Sequence, residues 1–338
     1  ELDPATLLEV LARHTVPVDR SRRPGRSAIG GPPQGRRGRV LAVVGPGGTG
    51  ASTAAMALAQ GLAEPSDHSV VLVDGARRGD VALYHHIGDV IPGLPELVEA
   101  HRSDRLDPEA VRRLTFDVPG RGYSVLLGRR RVAEWVTLRR RSVDASIEAL
   151  TRSFDTVVVD LDADLDGQAD TGSPDVDDRH AVALSTLELA DAVLVVGRHG
   201  LHGLHAVAGL IDELVDSGVP DHRIVPVFMA APRSPAARAA ATAALVRLVD
   251  SAPDASGTDD GPSTLHPPLH LRRIRGLDDL HDRVARLPVA LSQPLERAVT
   301  RILLRAGGRP LHGRAEHRVL PGELAMQLVH DDGRSNVA

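Results

Sequence analysis

Short apolar runs alternate with amphipathic stretches over most of the chain. Runs with the length and composition of buried strands lie at 40–44, 70–73, 124–127, 156–159, 192–196 and 224–228. Stretches with apolar residues at helical spacing lie at 52–63, 132–152, 181–189, 204–217 and 235–249, and a strand near 269–274 precedes a helix near 294–304. This alternation predicts an α/β fold with a doubly wound, mostly parallel sheet and helices on both faces.

The segments outside this alternation differ from it in composition. We expect a short helix within 1–15, as the end of an upstream domain, and a linker rich in Arg, Pro and Gly at 16–38. The α/β domain then covers 39–306, with a loop at 251–264 whose Ser, Asp, Gly and Pro content predicts disorder. Residues 307–338 are predicted to form a polar tail.

A glycine-rich loop, with the sequence GPGGTGAST at 45–53, joins the first predicted strand to the first predicted helix. Glycines allow successive backbone N–H groups to point inward as an anion nest, and the helix N-terminus adds partial positive charge. We therefore predict that the loop binds the phosphates of a nucleotide through Gly45, Gly47, Gly48, Thr49, Gly50, Ala51, Ser52 and Thr53. The competing interpretation is a tight turn that caps the helix and binds nothing.

Composition changes this picture, because the sequence contains no lysine and arginine supplies all 40 of its Lys and Arg residues. In the pattern G-x-x-x-x-G-K-[ST], Ser52 keeps the magnesium-binding hydroxyl, but Ala51 stands in place of the lysine. Loss of that cation predicts weaker phosphate binding and slower phosphoryl transfer. The absence of cysteine excludes disulfides and thiolate sites, and an aromatic content of 2% disfavours single-strand binding by base stacking.

A carboxylate follows one of the most apolar predicted strands. Asp160 comes directly after the run at 156–159, so it lies at the carboxyl edge of the predicted sheet, where ligands bind in folds of this kind. Carboxylate and hydroxyl oxygens suit magnesium. We expect Asp160 to hold the ion through water, together with Ser52.

The segment 43–63, VVGPGGTGASTAAMALAQGLA, resembles the deviant phosphate loop of the MinD/ParA family of P-loop ATPases, whose pattern is K-G-G-x-G-K-[ST]. It is most similar to the CpaE/TadZ branch of pilus-assembly localisation proteins, related to septum-site-determining proteins, in which alanine often replaces the second lysine. The segment 73–80, VDGARRGD, resembles the V-D-x-D-x-x-x-G-D switch segment of the family and is one position shorter, with Asp74 and Asp80 matching its first and last aspartates. The resemblance extends over about 38–305.

This resemblance implies a P-loop NTPase fold with ATP and magnesium as cofactors. It makes Asp74 a second metal candidate and a candidate catalytic residue, for which capping of the strand end is the alternative. It also implies a homodimer that positions pilus, envelope or septum machinery. The location implied is cytoplasmic, with recruitment to the inner face of the membrane or to the cell pole.

Departures from the family pattern remove charge. The signature lysine falls on Pro46, the second loop lysine falls on Ala51, and the aspartate associated with hydrolysis falls on Ala76. We therefore expect weak ATP binding and at most weak ATPase activity, and we favour a pseudo-ATPase. The asparagine that reads adenine in the family is replaced within 229–231, Met-Ala-Ala, so base specificity does not carry over.

Three alternatives follow from the arginines and from the last helix. Arg77, Arg78 or an arginine of a second copy could replace lysine in an active ATPase. The arginine runs at 129–131 and 139–141 could bind DNA non-specifically, as in ParA-like partition proteins. The helix at 295–305 carries an apolar face that could lie on a membrane, through Leu295, Ala298, Val299, Ile302 and Leu303.

Overall fold

The computed structural model describes residues 37–64, 68–88, 91–103, 106–167, 171–250 and 265–305. The predicted N-terminal helix, nearly all of the predicted linker, the loop at 251–264 and the polar tail lie outside the described residues. The domain boundaries expected from the sequence stay predictions.

The described residues contain an eight-stranded sheet. Its strands are β1 Arg39–Val44, β2 Val70–Asp74, β3 Phe116–Val118, β4 Tyr123–Leu126, β5 Thr156–Leu161, β6 Ala192–Arg198, β7 Ile224–Ala231 and β8 Leu269–Arg272. The order across the sheet is β3-β4-β2-β5-β1-β6-β7-β8, and neighbouring strands are parallel except β3 and β4. The predicted doubly wound, mostly parallel sheet is therefore confirmed.

Helices connect the strands and cover both faces of the sheet. In the described residues they are α1 Ala51–Ala63, α2 Val81–Tyr84, α3 Leu94–Ser103, α4 Pro108–Arg112, α5 Arg140–Ser153, α6 Pro174–Arg179, α7 Ala181–Leu189, α8 Leu201–Asp216, α9 Pro235–Asp250, α10 Leu277–His281 and α11 Val289–Arg305. Short 3-10 helices lie at Val132–Thr137 and Asp221–Arg223.

Strand β1 shows why the central strands are apolar at every position. Leu41 and Val43 pack in the layer that includes α1 and α11, whereas Val40, Ala42 and Val44 pack in the opposite layer with α5, α7 and α8. All five side chains are at most 1% exposed. A strand covered on both faces has no polar side, so it appears in the sequence as a continuous apolar run.

Helices α1 and α11 pack closely at Gly61. A Cβ atom at Gly61 would lie 2.9 Å from the carbonyl oxygen of Ser292 and 3.2 Å from the Cβ of Glu296. The face of α11 in this layer is buried through Leu295, Val299, Ile302 and Leu303. This is the face that the membrane-surface alternative required, and it packs inside the protein instead.

The single helix predicted over 132–152 is wrong. The chain forms the 3-10 helix Val132–Thr137 and then begins α5 at Arg140. Leu138, between the two, leaves helical geometry at φ −94° and ψ 68° and is buried in the core, 1% exposed. Valine, threonine and tryptophan within 132–137 also have lower helix propensity than leucine or alanine, which favours the break.

Further elements differ from the sequence prediction, which did not include the helices α2, α3, α4, α6 and α10. Strand β3 was not predicted, because it has three residues and only Val118 is buried. Helix α11 begins at Val289 rather than near Pro294, which lies inside the helix. Leu291, 1% exposed, packs in the α1 layer, so burial of the first turns sustains the helix ahead of a proline that would otherwise mark its start.

We expect Gly61→Ala to lower the free energy of unfolding, because the new methyl group would meet the Ser292 carbonyl. The alanine would otherwise favour the helix by about 0.5–1 kcal/mol. Gly209→Ala in α8 is the matched control, since a Cβ there meets nothing within 4 Å. Urea unfolding should show opposite signs for the two variants; a gain in stability for both would contradict the close packing of α1 and α11.

Candidate nucleotide-binding site

The glycine-rich loop connects β1 to α1 and is closed by its own hydrogen bonds. The backbone N–H and the hydroxyl of Thr49 both donate to the carbonyl of Pro46, at 3.2 and 2.7 Å. Gly48 and Gly50 have φ angles of 76° and 95°, in the left-handed region that favours glycine. Gly50 caps α1 without a side-chain hydrogen bond, so the first N–H groups of the helix are available to an anion.

Gly45, at the start of the loop, lies in close contact with the backbone of β6. A Cβ at Gly45 would overlap the carbonyl of Val196 in β6, so a larger residue would push the loop away from the neighbouring strand. Pro46 fits the loop because its carbonyl closes the turn, although it offers no N–H to a phosphate.

Two carboxylates lie at adjacent strand ends beside this loop. Strand β5 lies between β1 and β2, and its Asp160 pairs in register with Asp74 on one side and with Val43 on the other. Asp74 is 3% exposed and Asp160 is 2% exposed. A side chain at Gly79 would overlap the Asp74 carboxylate, which explains a glycine directly before Asp80.

Burial dominates the electrostatics of the pair, and the charges of nearby carboxylates add to its effect. Burial, followed by the charge of Asp160, raises the pKa of Asp74 to about 7. Burial likewise raises the pKa of Asp160 to about 7, and a hydrogen bond from the Ser52 hydroxyl partly opposes this. Asp80, at the start of α2, adds to the negative potential on both groups.

The donor set at this edge suits a hard cation. Oδ2 of Asp74 accepts a hydrogen bond from the Val81 N–H at 3.4 Å, while Oδ1 is buried with no hydrogen-bond partner among the described residues. Ser52 and Asp160 are already in hydrogen-bond contact. Magnesium would coordinate such oxygens, with water and phosphate completing its shell. The residues predicted for the metal site are therefore brought together.

Comparison with solved structures identifies the fold. No protein-family model matches the chain, and no curated protein matches it by sequence. A ParA-family ATPase from Chlorobium tepidum TLS is similar with a TM-score of 0.59 and 18% identity, over 77% of this chain and 98% of that chain. The fold is that of the ParA and MinD ATPases.

Two further structures with the ParA/MinD fold contain nucleotide. An aspartate-to-alanine variant of McdA from Cyanothece, in complex with ATP, has a TM-score of 0.53 and 14% identity, over 81% of this chain and 99% of that chain. The septum site-determining protein MinD from Pyrococcus horikoshii OT3, complexed with Mg-ADP, has a TM-score of 0.53 and 16% identity, over 80% and 97%. At these identities the similarity defines the fold and does not assign an activity.

Within the ParA/MinD-type fold, Arg77 is engaged by side chains that follow β5 in the sequence. Its backbone N–H and its Nε donate to one carboxylate oxygen of Asp162, at 2.6 and 3.2 Å. Its Nη2 lies 2.7 Å from Oδ2 of Asp164, and its Nη1 lies 3.3 Å from Nε2 of His180. Arg77 thus ties the segment after β2 to the segment after β5. Arg78 is exposed.

A narrow cleft beside this cluster carries two more arginines, Arg129 and Arg179. Burial lowers the pKa of the half-buried Arg129, while the nearby charge of Asp162 raises it. Sequence reasoning did not select Arg129 as a site residue, because it appeared only as part of an arginine run. Its position after β4, at the same edge of the sheet, could not be read from that run.

A second group missed by the sequence analysis lies against α1. Nε2 of His281 is 3.2 Å from the hydroxyl of Thr53, and the ring of Tyr84 packs on the imidazole with centroids 4.7 Å apart. The side chain of Arg121 is fully buried, donating to the Ala285 carbonyl at 3.0 Å and contacting Sδ of Met56 at 3.2 Å. No sequence motif joins Thr53 to a histidine 228 positions away.

The arginine runs considered for DNA binding are partly neutralised. Arg130 pairs with Glu96 and Glu134, at 3.1 and 3.2 Å. In the second run, Arg139 pairs with Asp178, and Arg140 pairs with Asp144 and Glu188 at 3.3 and 2.9 Å. These ion pairs reduce the positive potential that phosphate backbones would meet there.

No helix in the described part of the chain is both long enough and apolar enough to cross a membrane.

The aspartate pair predicts an unusual dependence of stability on pH. Both pKa values are raised to about 7 from the ordinary value of 3.8, so between these values the folded state binds more protons than the unfolded state. The free energy of unfolding should therefore fall as the pH rises from about 4 to about 7 in metal-free buffer.

We expect the free energy of unfolding of Asp74→Asn to fall less over this pH range than that of the wild type. Above pH 7 the variant should be more stable than the wild type by roughly 1 kcal/mol or more. The measurement is urea unfolding at several pH values with a chelator present. Asp250→Asn is the control, because Asp250 is exposed at the end of α9. Parallel pH profiles for wild type and Asp74→Asn would show that the buried pair does not titrate as inferred.

Proposed function

We propose that this protein binds Mg-ATP weakly at the loop between β1 and α1 and acts as a dimeric positioning protein of the CpaE/TadZ type, with slow hydrolysis or none. The observation that carries the proposal is the combination of an intact loop backbone with Ser52, Asp160 and Asp74 in place but no lysine at either loop position of the family pattern, where Pro46 and Ala51 stand. The ATP and Mg-ADP complexes of similar fold support nucleotide as the ligand.

Weak binding follows from what surrounds the phosphate position. Ala51 is 9% exposed and uncharged where the loop pattern has lysine, and Pro46 contributes only a carbonyl. Backbone N–H groups and the helix dipole supply partial charges, whereas lysine supplies a full charge that stabilises the γ-phosphate. Slow hydrolysis follows because phosphoryl transfer depends on electrostatic stabilisation, and Ala76 removes a further charged group.

The positioning role rests on the sequence resemblance and on the fold. A dimer that forms on nucleotide binding would give the protein a monomeric and a dimeric state without ATP hydrolysis. Its partners would be pilus, envelope or septum proteins. Recruitment to the inner face of the membrane or to a cell pole would then depend on those partners. Light scattering with and without Mg-ATP tests the dimer directly.

The competing active ATPase needs arginine at the phosphates. Arg77 is held by Asp162 and Asp164, so its use would require two ion pairs to break. Arg78 is exposed and would have to fold over the loop. A ParA-like DNA-binding function is less favoured than nucleotide-dependent positioning, because Arg130, Arg139 and Arg140 are already paired with acids.

Isothermal titration with Mg-ATP tests binding, with Ser52→Ala as the matched variant. We expect affinity in the high-micromolar to millimolar range and a further loss of about tenfold in Ser52→Ala, because the hydroxyl that contacts Asp160 is removed. Titration of Ser217→Ala controls for a serine substitution at an exposed position directly after α8. Absence of heat with wild type at millimolar Mg-ATP would refute nucleotide binding, and turnover at about 1 s⁻¹ or faster would refute slow hydrolysis.

Restoring the missing cation is a stronger test. We expect Ala51→Lys to tighten Mg-ATP binding by about tenfold or more, because lysine would lie at the start of α1 facing the bound phosphates. Ala51→Met has similar length without charge and should not tighten binding. Equal affinities for the two variants would show that the loop does not present this position to a phosphate.

A further inference from the structure

The hydroxyl of Thr53 has an unusual partner for a helical threonine. Threonine in a helix commonly donates to the carbonyl one turn earlier, as Thr186 does to Val182 at 2.6 Å. Thr53 lies in the first turn of α1 and instead makes its hydrogen bond with Nε2 of His281, at 3.2 Å. The contact is buried on both sides, with Thr53 8% and His281 7% exposed.

His281 is fixed in place by its surroundings. It ends α10, and the ring of Tyr84 from α2 packs on it with an interplanar angle of 49°. Burial lowers the pKa of His281, and the positive charge of Arg121 lowers it further. The charges of Asp278 and Asp282 oppose this shift in part. The lowered pKa favours the neutral imidazole, which carries a single N–H.

The hydrogen bond between the two side chains has two arrangements. If Thr53 donates, its hydrogen points away from the loop and toward the imidazole. If Nε2–H of His281 donates, the Thr53 oxygen accepts and its own hydrogen is free to point toward an anion at the N-terminus of α1. Only the second arrangement gives the phosphate loop an additional donor.

We propose that His281 is a positioning residue for phosphate binding, which donates through Nε2–H to Thr53 and thereby directs the Thr53 hydroxyl toward the bound phosphate. This inference rests on the proposed nucleotide binding. In this arrangement the loop, which has no lysine, gains the Thr53 hydroxyl as an oriented donor. The residue that orients it, His281, lies far away in the sequence at the end of α10.

The test measures Mg-ATP affinity by isothermal titration for His281→Leu, His281→Gln, Thr53→Val and the double variant His281→Leu/Thr53→Val. We expect His281→Leu to weaken binding by about three- to tenfold, the range for one hydrogen bond. His281→Gln should stay within about twofold of the wild type, because its amide N–H can replace Nε2–H. The double variant should be no weaker than Thr53→Val, because the histidine acts through the threonine.

His68→Leu is the matched control. It also removes a histidine–threonine hydrogen bond, 2.9 Å from Nε2 of His68 to Thr156, but at the first residue of β5, at the end of that strand opposite Asp160. Its affinity should equal that of the wild type. Thermal melting of each variant verifies folding, and rescue by glutamine separates a lost donor from a damaged core.

The outcomes separate this inference from the function on which it rests. If the wild type binds Mg-ATP and His281→Leu binds equally well, the positioning role is overturned while nucleotide binding stands. Additive losses in the double variant, or failure of His281→Gln to rescue a well-folded protein, also overturn it. If the wild type binds no Mg-ATP, the proposed function and this inference fall together.

Discussion

The position of β5 between β1 and β2 determines the site. Parallel pairing brings the carboxyl ends of the three strands to one edge, so the phosphate loop after β1, Asp160 and Asp74 become neighbours. The register aligns Asp74 with Asp160 directly, and a slip of one residue would turn one carboxylate to the other face of the sheet. The apolar strands on which this register depends are buried on both faces, and their packing holds two like charges together.

The phosphate loop lacks the positive charge that efficient phosphoryl transfer uses. Burial and the charge of Asp160 raise the pKa of Asp74, and the loop has no lysine to offset the two carboxylates. A divalent cation would relieve the repulsion, and it would bring phosphate oxygens with it. Metal and nucleotide would thus bind as one unit, since neither the backbone nest nor the carboxylates alone supply a complete site.

The sequence predicted the strands and the loop well because their signals are local. Runs such as 40–44 and 156–159 are continuous and apolar, and glycines at 47, 48 and 50 mark a turn whatever surrounds them. The break at Leu138 was missed because it depends on one side chain reaching the core. His281 was missed for a similar reason: its role arises from contact with Thr53 and Tyr84, and these residues are brought together only by the fold.

The Arg77 cluster changes what nucleotide binding would accomplish. Asp162, Asp164 and His180 hold the segments after β2 and β5 together before any ligand arrives. A site whose two flanking segments are already held together requires little rearrangement of those segments on binding, so association of two copies, rather than movement of the segments, would report the bound nucleotide. Its occupied state would end when the nucleotide dissociates rather than when a bond is cleaved. The dissociation rate would then set how long each nucleotide stays bound, and the cellular ATP concentration would set the fraction of occupied sites.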